Sequence, residues 1–127
     1  MRHARCYVVI YYADYLIVTD KPDITAHPRS VAKTEGENVT LSCNATANPV
    51  PTISWTRDGN PINTTNHSRI SFLKDKRQLT ITDANRTDSG VYRCVANNKF
   101  GNATSRPATL DIQCIVFSML ESVFVCD

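Results

Sequence analysis

The sequence has 127 residues, 42% of them hydrophobic and 20% charged, with 14 Lys and Arg against 12 Asp and Glu for a formal net charge of +2. That length supplies one hydrophobic core and leaves no room for a second full domain beside it. So small a positive surplus gives no electrostatic footprint for nucleic acid, and only four Gly and six Pro exclude collagen-like and low-complexity chains.

Residues 1–21 read as an apolar N-terminal tail. Arg2 and Arg5 precede an apolar run from Cys6 to Ala13, which Asp14 interrupts. A basic start and a short apolar run half resemble a secretory signal, yet no small-residue cleavage pattern follows. A truncated neighbouring segment fits as well.

From Pro22 to Gln113 the hydrophobic period is two. Val39, Leu41, Cys43 and Ala45 alternate with Thr40, Ser42, Asn44 and Thr46, the pattern of a strand with one buried and one wet face. Ile53 and Trp55 repeat it, then Leu79 and Ile81, then Tyr92, Cys94 and Ala96 across Arg93, and finally Leu110 and Ile112. Turn residues punctuate these runs at Glu35-Gly36-Glu37, Pro49-Val50-Pro51, Asp58-Gly59-Asn60-Pro61, Thr87-Asp88-Ser89-Gly90 and Lys99-Phe100-Gly101-Asn102. No window supports a helix of three turns. Six or seven short strands at this spacing predict an all-β, two-sheet antiparallel sandwich. Residues 114–127 form a second apolar tail, with Glu121 in its middle, too short for the roughly 20 apolar residues of a membrane-spanning helix.

Of the five cysteines, only Cys43 and Cys94 fall on the buried face of predicted strands within the domain, so these two are expected to pair. Trp55, the one Trp, sits on the strand after Cys43, where its indole can lie against that bridge. Cys6, Cys114 and Cys126 are left over in the tails.

The Cys43, Trp55, Cys94 spacing and the run Asp88-Ser89-Gly90-Val91-Tyr92-Arg93-Cys94 resemble an immunoglobulin domain. That resemblance implies a Greek-key sandwich with strands A, B, E and D in one sheet and C, F and G in the other. It implies that the Tyr92 hydroxyl bonds back to nearby backbone as a tyrosine corner, and that Asp88 pairs with Arg69 at the foot of the sandwich. Further matches resemble the intermediate-set (I-set) subclass: Pro22 and Pro28 flank a divided first strand, Asn48-Pro49-Val50-Pro51 leads into strand C, and Asn98 and Gly101 shape the F–G hairpin, where positive φ is cheap for Gly and tolerable for Asn. The resemblance covers Pro22 to Gln113, and neither tail fits it.

Six N-x-[ST] acceptor tripeptides occur, at Asn38, Asn44, Asn63, Asn66, Asn85 and Asn102. Together with the disulfide they point to an oxidising, extracellular or cell-surface setting, with at least two of the six glycosylated. Strand phase places Asn38 and Asn44 on the outer side of the A-B-E-D sheet, leaving the C-F-G face open. On it Arg93 and Val95, and at the F–G tip Lys99 and Phe100, are the expected partner contacts, because interface cores favour Arg and aromatic residues.

No C-x-x-C, no His pair at metal-ligand spacing and no nucleophile elbow is present, so no catalytic residue, metal or other cofactor is expected. The leading expectation is a recognition module of an adhesion or receptor protein, with neighbouring tandem domains and a like or unlike immunoglobulin-type ectodomain as partner. Two rivals remain: a load-bearing intracellular I-set module of muscle type, in which the cysteines stay reduced, and an accessory module of a larger receptor enzyme.

Overall fold

The computed structural model describes residues 7–12, 15–63, 69–114, 117–119 and 122–124. Fifteen strands run in order: β1 (Tyr7–Tyr12), β2 (Tyr15–Asp20), β3 (Asp23–Ala26), β4 (Val31–Thr34), β5 (Val39–Ser42), β6 (Asn44–Thr46), β7 (Thr52–Arg57), β8 (Asn60–Pro61), β9 (Ile70–Leu73), β10 (Gln78–Ile81), β11 (Gly90–Asn98), β12 (Gly101–Thr104), β13 (Ala108–Gln113), β14 (Phe117–Met119) and β15 (Ser122–Phe124). Among the described residues a 3-10 turn, Arg86–Asp88, interrupts them.

Two layers face each other. One is the sheet β4-β13-β11-β7-β8, with β12 also paired to β11. The other is β5-β10-β9, extended past Cys43 by β6, which pairs with β3. The alternation read from the sequence is the alternation of burial: β5 runs buried-exposed-buried-exposed, and β13 keeps Ala108, Leu110 and Ile112 inside. Leu79 and Ile81 of β10 have no exposed surface. Each such burial contributes about 1.5–3 kcal/mol, which is why the inward positions accept only apolar side chains.

The turns obey backbone preference. Asp58 and Gly59, with φ of 51° and 85°, form the two-residue loop of the β7–β8 hairpin, whose closing rung is Arg57↔Asn60. Positive φ at both central positions matches the right-handed twist of the strands, and an Asp-Gly pair tolerates it. The first strand is divided as expected: β3 pairs with β6, and β4 pairs in parallel with β13 in the opposite sheet.

The ends carry two further ladders. β1 and β2 form an antiparallel pair from Tyr7↔Asp20 to Tyr12↔Tyr15, and β14 pairs with β15. Among the described residues no helix is long and apolar enough to cross a membrane.

Candidate functional site

The middle of the sandwich is a cross-link covered by an indole. Cys43 and Cys94 form a disulfide with Cα atoms 6.5 Å apart, tying the line of β5 and β6 to β11. Trp55 is the cross-strand partner of Cys94, 1% exposed, and its Nε1–H donates to the Lys76 carbonyl at 2.6 Å. That bond accounts for the one polar atom of an otherwise apolar side chain. Cys114 is disulfide-bonded as well, while Cys6 and Cys126 lie outside the described residues.

At the foot of the sandwich a polar network fixes the turn before β11. Tyr92, fully buried, donates its hydroxyl proton to the Asp88 carbonyl at 2.6 Å. Arg69 grips the Asp88 carboxylate with two nitrogens, at 2.7 and 3.1 Å, and the Asn85 amide donates to the same carboxylate at 2.8 Å. Asn85 in turn caps the 3-10 turn by accepting from the Thr87 amide, and Arg57 donates to the carbonyls of Thr87 and Ser89. Burial alone would raise the Asp88 carboxyl. The hydrogen bonds from Arg69 and Asn85, with the charges of Arg69 and Arg57, outweigh burial and hold it below the usual carboxylate range.

Burial pushes the Tyr92 phenol up to about 12. A folded value above the unfolded value near 10 means that its neutral form stabilises the fold fully below about pH 10, and that this contribution is lost as pH rises toward about 12. The tyrosinate absorbance of Tyr92 is therefore expected to appear together with alkaline unfolding, as a step coincident with loss of near-ultraviolet circular dichroism. A Tyr92→Phe variant should lack that step, and a smooth titration of every tyrosine before unfolding would refute the expectation.

The acceptor asparagines sit at the margins. Asn38, Asn44, Asn63, Asn85 and Asn102 are all exposed, and Asn66 lies outside the described residues. Three of them do structural work through the carboxamide oxygen: Asn38 accepts from Asp83 N–H, Asn44 from Ala45 N–H and Asn85 from Thr87 N–H. A glycan attaches to the nitrogen, so these bonds and modification can coexist. Asn38 and Asn44 lie on the outer side of the β5–β6 line, opposite the buried Val39, Leu41 and Cys43. Asn102 is the ladder partner of Asn97, at the upper end of the other face.

On that other face, Arg93 and Val95 of β11 are half-buried, flanked across the ladder by Thr56, Ser54 and Thr104. The Arg93 side chain forms no hydrogen bond or ion pair with the described residues. It is a bare guanidinium among hydroxyl and aliphatic side chains. At the β11–β12 turn Lys99 is exposed and Phe100 half-buried, with the Lys99 ammonium 5.3 Å from the Phe100 ring centroid.

One expectation for this tip is corrected. Asn98 keeps a negative φ, and its side chain does the shaping instead. The oxygen accepts from Phe100 N–H at 2.9 Å, and the nitrogen donates to the carbonyls of Asp20 and Pro49 at 2.9 and 3.1 Å. Asp20 completes the junction, donating its N–H to Asn48 O and accepting Asn48 N–H on its carboxylate. Gly101 lies close to the Lys21 side chain: a Cβ there would meet it at 3.1 Å and push it aside. Sequence reasoning missed this junction of the first loop, the tip and the chain entering β3, because its partners are 78 residues apart.

Among the described residues no three His, Cys, Asp or Glu gather as a metal site. The pieces that do gather are a stapled core, a braced corner and a sheet face on which the Arg93 side chain has no partner among the described residues.

Residues 21–98 match the family model described as "Immunoglobulin domain". The chain is 36% identical over 91 residues to the peroxidasin homolog of Mus musculus, covering 72% of this chain and 6% of that protein. It is 39% identical over 88 residues to neural cell adhesion molecule 1 of Bos taurus, covering 68% of this chain and 10% of that protein. Among solved structures, a chain of the titin M10–obscurin-like 1 immunoglobulin complex superposes with a TM-score of 0.67 at 30% identity, covering 74% of this chain and 95% of its own. The match thus spans a tenth or less of the curated relatives named here.

Proposed function

The chain belongs to the immunoglobulin domain family, and on that premise we propose that it is a non-catalytic recognition module of an extracellular or cell-surface adhesion or receptor protein. The observation that carries this reading is the Arg93 side chain: half-buried, unpartnered among the described residues, and on the outward face of β11 opposite Thr56 of β7. Free guanidinium groups in such settings favour planar carboxylates of a partner protein, and interface hot spots are rich in Arg. Val95 adds apolar area beside it. Lys99 and Phe100, stacked on each other at the tip, extend the contact upward to where a glycan on Asn102 would limit it.

Glycans on Asn38 and Asn44 would shield the β5–β6 side, leaving the Arg93 face for a like or unlike immunoglobulin-type ectodomain. One module offers at most about 800 Å² to a partner, so firm adhesion would draw on several modules in tandem. The similarity to neural cell adhesion molecule 1 supports this reading. The titin similarity supports the rival, a load-bearing intracellular module, and the peroxidasin similarity the accessory module of an enzyme.

Two measurements test the reading. Protein secreted from a eukaryotic cell should shift on a gel after glycosidase treatment, and an unshifted band favours the intracellular rival. On beads carrying the secreted chain, Arg93→Glu should lower self-aggregation, or binding to a panel of immunoglobulin-type ectodomains, by about tenfold or more. Unchanged binding by a folded variant would remove Arg93 from the interface.

A further inference from the structure

The divided first strand changes sheets, and its departure leaves an opening. β3 follows β6 only as far as the Ala26↔Asn44 rung, past an irregularity between Ile24 and Ala26, and from Val31 the chain pairs with β13 instead. Among the described residues nothing takes its place beside β5, which ends the β5-β10-β9 sheet.

Which backbone groups are left open follows from the ladder. Cys43 N–H donates to the Arg77 carbonyl across the strand pair at 2.8 Å, so the odd-numbered residues of this strand turn their backbone toward β10. By the alternation of antiparallel pairing, Thr40 and Ser42 turn their N–H and C=O groups the other way. They face a groove of ≈ 970 Å³ bordered by His27, Arg29, Leu41 and Arg106. His27 Nδ1 accepts from Arg106 N–H at 3.0 Å, which ties the crossing segment to the stretch before β13 and keeps the groove formed. No carboxylate is among the described residues lining it, and the side chains of Arg29 and Arg106 have neither an ion pair nor a hydrogen bond with the described residues.

An unpaired strand edge is usually blunted or covered. Here it lies at the side of a groove whose charge is of one sign. We propose that this groove binds an acidic peptide in extended conformation, added as a strand beside β5. The backbone of Thr40 and Ser42 supplies the ladder hydrogen bonds, and Arg29 and Arg106 pair with carboxylates of the peptide. The groove belongs to the edge of the sheet opposite β11, and neither Asn38 nor Asn44 lines it, so it is separate both from the Arg93 face and from the outer surface that glycans on those two residues would cover: either site can fail while the other stands. A sulfated polysaccharide would satisfy the charge and leave the strand edge unused, which is why the peptide is favoured.

The test uses the full chain, labelled with nitrogen-15, and four probes: the capped hexapeptide ETEVET, its KTKVKT counterpart, ETEVET N-methylated at alternate positions, and a heparin tetrasaccharide. ETEVET is expected to saturate below about 1 mM and to slow exchange of the Thr40 and Ser42 amides. An Arg29→Glu/Arg106→Glu variant, shown by its melting temperature to be folded, should bind it roughly tenfold more weakly. N-methylation at alternate positions should abolish binding. The proposal is overturned if ETEVET does not saturate, if the lysine or methylated peptide binds as well, or if the tetrasaccharide outcompetes ETEVET without changing exchange at Thr40 and Ser42.

Discussion

Replacing Cys43 and Cys94 together by alanine is expected to lower the stability of this domain by about 4 kcal/mol. The size follows from the closed loop. A bridge over 51 residues removes much of the conformational freedom of the unfolded chain, and entropy lost by the unfolded state is stability gained by the folded one. For a domain of this size about 1 kcal/mol moves the melting temperature by roughly 4–8 °C, so the variant should melt some 15–30 °C lower. Its denaturant midpoint should fall accordingly. The double variant is a cleaner probe than a reductant, because Cys114 is also disulfide-bonded and a reductant would open that bond too. If the variant melted with the parent, the bridge would be incidental, and the intracellular rival, in which the two thiols stay open, would gain the support that the extracellular reading lost.

The same bridge shows what one sequence can disclose. Cys43 and Cys94 could be paired on paper because both fall on inward positions of strongly alternating strands, and alternation is a local property that burial imposes residue by residue. Trp55 and Tyr92 were legible for the same reason. Trp55 alternates inward with Ile53 and Tyr92 with Cys94, and each polar atom then needs a partner within reach. The junction around Asn98 had no such signature. Its carboxamide joins Asp20, Pro49 and Phe100, and only the closed sandwich brings those backbones together. The three successive positive φ values at Lys74, Asp75 and Lys76 were equally silent, since no glycine marks them. The open edge of β5 was hidden in another way: the sequence shows that the first strand is divided, but not which backbone groups the division abandons.

Arg69→Ala should cost about 2–3 kcal/mol at neutral pH, the worth of hydrogen bonds to a charged group whose partner is then left unpaired. Asp88 is 4% exposed while the Arg69 side chain is 36% exposed, so the penalty falls on the carboxylate that stays behind and is smaller than for a pair buried on both sides. Asp88 cannot simply turn to water, because its other oxygen contacts hold the 3-10 turn through Asn85. The pH dependence gives the sharper reading. Since the folded carboxyl sits below its unfolded value near 3.9, its stabilisation is complete well above pH 4 and disappears as pH falls through the lower folded value. Parent and Arg69→Ala protein should therefore differ most at neutral pH and converge as acid neutralises Asp88 in both. Denaturant melts of the two proteins from about pH 7 down to about pH 2 measure that convergence. A constant gap across the range would mean that Arg69 stabilises by packing its aliphatic stem, and that the pair at the foot of the sandwich contributes little as a pair.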